Sequence, residues 1–254
     1  MKRQLRKNLT NGGAANFISA ILDFLFPPAC LLCNSKELDW SESFICKNCF
    51  KEIPFITPPF CQRCSKPFFT ANPRNHLCSE CMSKKNFFNQ VRAIGKYEGV
   101  LKIIIHKFKY RGNFSMLRLL NLLIKNMPED TRPLLNSYDF IIPVPLHRTR
   151  LRERGFNQAV LFGKIIAREY GIPLKFMTLQ RITSTFPQTM LPVTTRKLNV
   201  RDAFRVKDQT QVESKRILLV DDVYTTGATI NECARILKKA GAAIVDGLVI
   251  ARAM

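Results

Sequence analysis

Long apolar runs are absent from this sequence. Its 254 residues contain no uninterrupted apolar stretch of the roughly 18 residues or more that a transmembrane helix requires. The sequence therefore indicates no membrane span.

The N-terminus superficially imitates a signal peptide. Basic residues at 2–7 precede a mostly apolar stretch at 14–26, but Asp23 interrupts that stretch, and Pro27-Pro28 stands where a cleavage site needs small residues. We therefore favour retention in the cell over export. Residues 1–27 are expected to form a basic, amphipathic lead-in that packs on the following domain or touches a membrane surface.

Acidic residues are few. The chain has 19 Asp and Glu against 40 Lys and Arg, which gives a formal net charge of +21. Such a balance favours polyanionic partners, nucleic acid or anionic lipid, that bind in a salt-dependent way. We expect contact with nucleic acid, and a site that must attract an anionic sugar phosphate is the alternative explanation.

Histidine is also scarce, with three residues in the chain. His106 and His147 lie outside the cysteine-rich region, and neither has an identified partner that would make it a general base. The sequence therefore offers no acid–base histidine, although His147 is a candidate phosphate ligand beside a proline-rich turn.

Cysteine is concentrated in the first third of the chain. Eight of the nine cysteines form four Cys-x-x-Cys pairs, separated by 12, 11 and 13 residues. Two thiolates on a tight turn can occupy two corners of a tetrahedron and a second pair the other two, so the pattern predicts two closed, structural Cys₄ zinc sites. The predicted ligands are Cys30, Cys33, Cys46, Cys49, Cys61, Cys64, Cys78 and Cys81.

The sequence leaves open which pairs share a metal. Adjacent pairs can do so and form tandem zinc ribbons, or alternate pairs can do so in an interleaved cross-brace. Redox chemistry is disfavoured, because four copies of the motif make no sense for one redox centre. His76, beside Cys78, is expected to be a surface residue rather than a ligand, and Cys233 a thiol of the core.

Residues 216–229 carry the most informative pattern. The apolar run 217–220 is typical of a strand buried on both faces, and Asp221 and Asp222 follow where the chain leaves the sheet. Ligands of open α/β sheets bind at that end, where adjacent carboxylates suit ribose hydroxyls or the water shell of Mg²⁺. The Thr/Gly loop 225–229 can direct amides and hydroxyls at one phosphate. Thr229 or a neighbour is expected to cap a helix over about 230–239.

This segment resembles the phosphoribosyl pyrophosphate (PRPP) fingerprint of the type I phosphoribosyltransferases, and each position from 220 to 229 fits it. The resemblance implies that Asp221 and Asp222 bind the ribose hydroxyls and Mg²⁺. It assigns the 5′-phosphate to Thr225, Thr226, Gly227, Ala228 and Thr229.

Strands and helices alternate from about residue 90. Strands predicted at 217–220 and 243–250 flank the helix after the fingerprint, a βαβ unit that requires a parallel sheet. Further strands are predicted at 91–97 and 140–145, helices around 116–124 and 159–170, and a very basic loop at 147–158.

The predicted fold class is α/β, a Rossmann-like parallel sheet of the type I phosphoribosyltransferase kind preceded by a small double zinc ribbon. The predicted domains are the lead-in 1–27, the ribbons 28–88 and the phosphoribosyltransferase-like domain 89–254.

The order of motifs resembles the ComF/ComFC family over nearly the whole chain from about residue 17. The segments that carry the resemblance are Phe26-Pro27-Pro28-x-Cys30-x-x-Cys33, the repeated cysteine pairs, Lys107-Phe108-Lys109-Tyr110-Arg111-Gly112, Pro143-Val144-Pro145-Leu146, Arg154-Gly155-Phe156-Asn157-Gln158, the stretch 188–204 with Arg196 and Asn199, and the PRPP fingerprint. The family implies a zinc ribbon joined to a type I phosphoribosyltransferase domain and, in competent bacteria, a role in handling incoming single-stranded DNA during natural transformation.

The resemblance also implies a pyrophosphate loop at Pro143, Val144, Pro145 and Leu146, and a mobile loop at 148–154 that closes over the substrate. Pyrophosphate departure would then be assisted by Mg²⁺ and by the basic residues Lys109, Arg111, Arg152 and Arg154. Unlike the loop of salvage phosphoribosyltransferases, this loop lacks a glycine, so binding of PRPP is better supported than turnover. Residues 178–204 are expected to form a hood over an acceptor that the sequence does not name.

These observations favour one function and leave an alternative. The favoured function is a ComF-like protein that binds PRPP and Mg²⁺ and handles incoming single-stranded DNA. We expect it in the cytoplasm or at the inner face of the membrane, with other DNA-uptake or recombination proteins as partners. The alternative is a phosphoribosyltransferase of nucleotide metabolism that acts on an unidentified acceptor and uses its zinc ribbons only structurally.

Overall fold

A computed structural model describes residues 29–36, 38, 45–70, 74–110, 114–133, 135–183 and 200–254. The predicted lead-in 1–27, the candidate ligand Arg111 and most of the predicted hood, with Arg196 and Asn199, lie outside the described residues. Within the described ranges, no helix is both long and apolar enough to cross a bilayer.

The strands of the described chain form two sheets. They are β1 (Val91–Lys96), β2 (Phe140–Pro143), β3 (Leu179–Arg181), β4 (Phe204–Val206), β5 (Arg216–Tyr224) and β6 (Ile244–Arg252). Strands β1, β6, β5 and β2 form a parallel sheet in that order, and β3 pairs with β4 in an antiparallel hairpin. Because both faces of the parallel sheet are covered, its strands are continuous apolar runs. The predicted α/β fold with a parallel sheet is confirmed.

Helices cover both faces of this sheet. They are α1 (Lys47–Lys51), α2 (Ser79–Ser83), α3 (Gly99–Tyr110), α4 (Phe114–Lys125), α5 (Arg148–Arg154), α6 (Gln158–Tyr170) and α7 (Ala228–Lys239), with short 3₁₀ turns at Glu129–Thr131, Leu135–Ser137 and Gln209–Gln211. Helix α7 connects the parallel neighbours β5 and β6. The βαβ unit predicted around the fingerprint is therefore present.

The basic stretch at 147–158 is not the loop that the sequence predicted, because most of it forms helix α5. Arginine and glutamate favour helix, and Arg150 pairs with Glu153 across one turn at 3.1 Å. The His147 ring accepts a hydrogen bond from Thr149 N where the helix begins, and Gly155 ends it with φ of 75°. The positive charges are thus carried on a short helix.

One hydrophobic core lies on each face of the sheet. Leu218 and Val220 pack with α3, α4 and α6, whereas Ile217 and Leu219 pack with α7 on the other face. This alternation follows from the two-residue period of a strand. Phe162 of α6 is fully buried, and truncating it to alanine would cost about 3–5 kcal/mol of folding free energy.

The cysteine-rich region is built onto the β1 edge of the sheet. Lys96 N donates to Pro54 O at 2.8 Å and Ile56 N donates to Ile94 O at 3.1 Å, so the segment 54–56 continues the sheet beyond β1. Cysteines of the first four-cysteine group pack in the core that contains α3 and α4, and the second group packs in the core that contains α7. The two halves of the region therefore contact opposite faces of the sheet.

Candidate functional site

The eight paired cysteines form two groups of four. Cys30, Cys33, Cys46 and Cys49 make the first group, and Cys61, Cys64, Cys78 and Cys81 make the second; within each group the sulfurs lie within 4.8 Å of one another. Adjacent pairs therefore share a site, and the interleaved cross-brace is excluded.

The sulfur spacing fits a tetrahedral zinc ion. Cys33 Sγ lies 3.6 Å from Cys46 Sγ, and Cys64 Sγ lies 3.7 Å from Cys78 Sγ. Zinc–sulfur bonds of about 2.3 Å place tetrahedral sulfurs about 3.8 Å apart. Among the described residues each group offers four ligands, so both sites are of the closed, structural type.

Backbone amides donate to sulfurs in both groups, and neighbouring thiols shift the pKa values of the cysteines. Cys78 N donates to Cys61 Sγ at 3.3 Å, and Cys46 N donates to Cys30 Sγ at 3.4 Å. A hydrogen bond with the Cys64 thiol is the main cause that lowers the pKa of Cys61 to about 4. Burial and the neighbouring sulfurs raise the pKa of Cys49. Four thiolates can coexist only if a divalent cation neutralises part of their charge.

Two other expectations about the thiols and their neighbours are confirmed. His76 is exposed, stacks on the Phe68 ring at a centroid distance of 3.9 Å and lies outside both groups. Cys233 is fully buried in the core beside α7.

The loop after β5 has the geometry expected of a phosphate cradle. Helix α7 begins at Ala228, and Gly227 is its N-cap with φ of 75°. The predicted helix is therefore present but starts two residues earlier than expected, and Thr229 is not its cap. Gly227 makes the earlier start feasible because glycine alone adopts this φ readily. A Cβ at this position would also overlap the Tyr224 hydroxyl. The helix N-terminus consequently faces a recess lined by Asp221, Thr225 and Thr229.

Two adjacent carboxylates end the strand that leads to this recess, and Asp221 lines it. Asp221 Oδ1 accepts a hydrogen bond from Asp222 N at 2.9 Å, and Asp222 Oδ1 accepts one from Val223 N at 2.7 Å. Burial, followed by the Asp222 charge, raises the pKa of Asp221 to about 8. The neighbouring cations therefore compensate the charge of Asp221 only in part, and the carboxylate oxygens are donors of the type that Mg²⁺ prefers.

Lys109 reaches Asp222 from α3, and its predicted role at the pyrophosphate stays a prediction. Its Nζ lies 3.4 Å from Asp222 Oδ2, and both side chains are about four-fifths buried, with 20% and 18% exposure. Lys109 and Asp222 are separated by more than a hundred positions, so only the fold brings them together. Partial burial reduces solvent screening of this pair.

A clamp that the sequence did not assign to the site holds the turn 143–146 in place. Asn157 Nδ2 donates to Val144 O at 3.0 Å, while its Oδ1 accepts from Ala159 N at 2.9 Å and caps α6. Gln158, which is buried, donates from Nε2 to Lys109 O at 3.2 Å. The Asn-Gln dipeptide that opens an otherwise apolar helix is the sequence pattern from which Asn157 and Gln158 could have been predicted.

The two arginines predicted to assist pyrophosphate lie on α5. Arg154 Nη1 donates to Gln158 Oε1 at 3.2 Å and so supports the clamp, whereas Arg152 is exposed. Their predicted contact with a leaving group stays a prediction.

Arg181 is a further basic residue near the carboxylates, and the sequence analysis missed it. It lies on β3, and its guanidinium is 5.5 Å from the centre of the Phe204 ring. Its positive charge partly offsets the rise in the pKa of Asp221. No local pattern marks Arg181, because the hairpin that carries it is positioned only by tertiary packing.

Known proteins share both parts of this architecture. Residues 21–82 match the family model of the double zinc ribbon domain, and residues 157–254 match that of the phosphoribosyl transferase domain. The DNA utilization protein YhgH of Salmonella typhimurium is 31% identical over 222 residues, which cover 87% of this chain and 95% of that protein. Competence protein F of Haemophilus influenzae is 29% identical over 231 residues, 88% of this chain and 96% of that protein. The chain belongs to the ComF family. Competence protein ComFC of Bacillus subtilis is also similar, at 27% identity over 240 residues, 88% of this chain and 94% of that protein.

ComF membership confirms the predicted resemblance, since these relatives match along nearly their whole length. The two domain matches, the parallel sheet and the two four-cysteine groups confirm the predicted fold class. This ComF family member thus combines a double zinc ribbon with a phosphoribosyltransferase-type domain, and the sugar-phosphate ligands remain predictions.

Proposed function

We propose that this ComF family member binds PRPP with Mg²⁺ at the carboxyl end of β5 and acts in the handling of incoming single-stranded DNA. The observation that carries the proposal is the partly buried carboxylate pair beside the phosphate cradle, where Asp221 has a pKa raised to about 8. Carboxylates whose charge is only partly compensated favour a ligand that arrives with a divalent cation. The relatives named for competence and DNA utilization support the cellular role.

Each part of PRPP has residues suited to it. Asp221 and Asp222 would accept hydrogen bonds from the ribose hydroxyls and hold Mg²⁺, which would neutralise pyrophosphate charge. Amides at the start of α7 and the hydroxyls of Thr225 and Thr229 would bind the 5′-phosphate. Lys109 is held by its contact with Asp222, where it can meet the pyrophosphate.

The proline-rich turn supports binding rather than rapid turnover. Pro143 and Pro145 have no N–H, and Val144 N already donates to Val220 O at 2.9 Å. Leu146 is then the residue of this turn whose amide is left for pyrophosphate. A leaving group stabilised by few backbone donors departs slowly.

The PRPP proposal is tested by calorimetric titration with PRPP and Mg²⁺, together with an assay for pyrophosphate release. We expect binding that requires Mg²⁺ and is abolished in Asp221→Ala/Asp222→Ala. Asp130→Ala, which removes an exposed carboxylate outside the site, is the matched control and should bind normally. Absence of PRPP binding to the wild type would overturn the proposal.

A groove beside α5 supports the DNA part of the proposal. It has a volume of about 770 Å³ and combines basic Arg148, Lys164 and Arg205 with the apolar side chains of Phe176 and Met177. Phe176 and Met177 are 52% and 55% exposed. Single strands bind to surfaces of this kind, because bases stack on apolar side chains while cations follow the phosphates.

DNA binding is tested by fluorescence anisotropy of a labelled oligodeoxythymidine at several salt concentrations. Arg148→Ala/Arg205→Ala should reduce the slope of log K against log salt by about 1–2. Lys102→Ala/Lys239→Ala removes the same charge from exposed helix positions that do not line the groove, and should leave binding close to that of the wild type. Equal losses in both pairs would contradict a specific groove.

The alternative, a nucleotide-metabolic phosphoribosyltransferase, makes a different prediction. Rapid pyrophosphate release with one nucleobase and no effect of DNA would favour it. Slow release that single-stranded DNA alters would favour the proposed function. Location in the cytoplasm or at the inner membrane face, and partners among DNA-uptake or recombination proteins, are part of the same proposal and can be tested by cell fractionation and co-purification.

A further inference from the structure

Arg252, at the end of β6, is a buried charge that the sugar-phosphate site does not use. It is 5% exposed, and its Nη1 donates to Ala253 O at 3.2 Å. Its Nε has no hydrogen-bond partner in the described chain. None of the ion pairs between described residues includes Arg252. A buried guanidinium without a carboxylate requires another source of negative charge.

The second four-cysteine group supplies that charge. Arg252 Nη2 lies 3.5 Å from Cys64 Sγ, and four thiolates around one Zn²⁺ have a net charge of −2. The acidic side chain on the adjoining helix, Glu80, forms its ion pairs with Lys66 at 3.9 Å and Lys84 at 3.3 Å, and interacts with Arg252 only at longer range. With zinc held by this group, Arg252 would be the counterion of the zinc–thiolate centre.

The same guanidinium also contacts the strand that leads into the phosphate loop. Arg252 lies 5.0 Å from the centre of the Tyr224 ring, and the two residues are partners in the register of β5 and β6. Tyr224 is 6% exposed, and its hydroxyl occupies the space that a Cβ of Gly227 would need. Phe88, in the segment that follows the second group, packs edge-on against Tyr224 at 6.3 Å. The chain of contacts therefore runs from the second zinc centre through Arg252 and Tyr224 to Gly227.

We propose that Arg252 is a positioning residue that ties the second zinc centre to the phosphate loop, so that zinc held by Cys61, Cys64, Cys78 and Cys81 is required for full affinity for PRPP. The affinity part of this inference rests on the proposed function. Zinc at the first centre is not required in the same way. In the described chain, no lysine or arginine side chain donates to a sulfur of that group. Lys107 donates to Leu31 O in its first knuckle rather than to a thiolate, and the group packs with α3 and α4 in the other core.

Matched cysteine variants separate the two centres. Cys64→Ser and Cys33→Ser each remove one ligand from one centre, and zinc analysis should give about one zinc per chain in both, against two in the wild type. We expect Cys64→Ser to raise the Kd for PRPP at least tenfold and Cys33→Ser to change it less than twofold. Equal effects of the two variants would overturn the proposal.

Variants of Arg252 test the link itself. Arg252→Met keeps much of the side-chain length without the charge, and we expect at least tenfold faster zinc transfer from the second centre to a chromogenic chelator, together with a higher Kd for PRPP. Arg252→Lys keeps the charge but loses the planar contact with Tyr224, so zinc transfer should stay near the wild-type rate while the Kd still rises. If Arg252 had only a structural role, both variants would lose stability, and the zinc-transfer rate and the Kd for PRPP would change in proportion to that loss. If both variants match the wild type, the proposal is wrong.

Hydrogen exchange provides a readout that needs no PRPP. In Cys64→Ser and Arg252→Met the amides at 225–229 should exchange at least fivefold faster than in the wild type, whereas in Cys33→Ser they should not. If the wild type fails to bind PRPP but shows this exchange pattern, the proposed function is wrong and the link is supported. Unchanged exchange in all three variants would refute the link, whatever the affinity for PRPP.

Discussion

Asp221 combines burial with an adjacent negative charge, and both raise its pKa, to about 8. Its folded-state pKa therefore exceeds the unfolded value of about 4. A raised carboxyl pKa means that the folded protein binds a proton that the unfolded chain releases, so this group lowers stability as pH rises from about 4 to about 8. The carboxylate is retained at a cost to the stability of the ligand-free protein, as is common at binding sites.

Asp221→Asn should consequently stabilise the ligand-free protein while it weakens PRPP binding. The amide oxygen can still accept from Asp222 N, but the charge is gone. We expect a Tm gain of about 2–4 °C at pH 8 and above, which shrinks toward pH 5, where the wild-type carboxyl is protonated. Differential scanning calorimetry across this pH range measures it. A gain that is independent of pH, or a loss at pH 8, would contradict the role given to Asp221.

Gly227→Ala tests the close approach of the phosphate loop to Tyr224. The substitution strains a φ of 75° and overlaps the Tyr224 hydroxyl, so we expect a loss of about 2 kcal/mol or more of unfolding free energy and loss of PRPP binding. Gly171→Ala is the matched control, because Gly171 has a φ of 70° and open space around its Cβ position. Urea titration of both variants separates backbone strain from steric overlap; equal losses would show that the overlap is unimportant.

At the level of elements, the junction between α5 and α6 organises the site. Gly155 ends α5, Asn157 caps α6, and the same Asn157 side chain holds the turn after β2 through Val144 O. Gln158 fixes the end of α3 in the same way through Lys109 O. Two short polar contacts therefore set the distance between three elements that are far apart in the chain.

Asn157→Ala should loosen this junction. Loss of the cap and of the contact to Val144 O should lower the unfolding free energy by about 1–2 kcal/mol and weaken PRPP binding, because the turn 143–146 is no longer held. Asp208→Ala removes a capping side chain from the 3₁₀ turn Gln209–Gln211, without a contact to the turn after β2. Calorimetric Kd values should rise in Asn157→Ala alone; a similar rise in the control would assign the effect to general destabilisation.

For the whole molecule, the zinc region and the parallel sheet share their hydrophobic cores. The segment 54–56 extends the sheet beyond β1, and cysteines from the two groups lie in the cores on its two faces. Metal affinity is therefore linked to the stability of the phosphoribosyltransferase-type domain as well as to that of the ribbons.

Removal of zinc by a chelator should lower the Tm of the entire chain by on the order of 10 °C in one transition. Calorimetry with and without chelator measures this, and adding back Zn²⁺ should restore the original value. A separate low-temperature transition with the main transition unchanged would show that the zinc region unfolds independently.

The sequence by itself determined the features that depend on a local pattern of residues. Four Cys-x-x-Cys pairs were enough to predict two Cys₄ sites, because thiolate spacing on a tight turn is a local property. The apolar run before Asp221 and Asp222 and the Thr/Gly loop after them were enough to predict a strand, a phosphate loop and a helix in a parallel sheet. The predicted loop at 147–158 was wrong and the helix after the phosphate loop starts two residues earlier than expected, since capping by His147 and by Gly227 was not visible in the residue pattern.

Only the tertiary structure decided which groups meet across long sequence separations. It paired the cysteine knuckles, brought Lys109 to Asp222, and placed Arg181 near Asp221. It also set Arg252 between Cys64 and Tyr224. The physical reason is that these contacts depend on strand register and on which face of the sheet each helix covers, and neither is encoded within a single stretch of sequence.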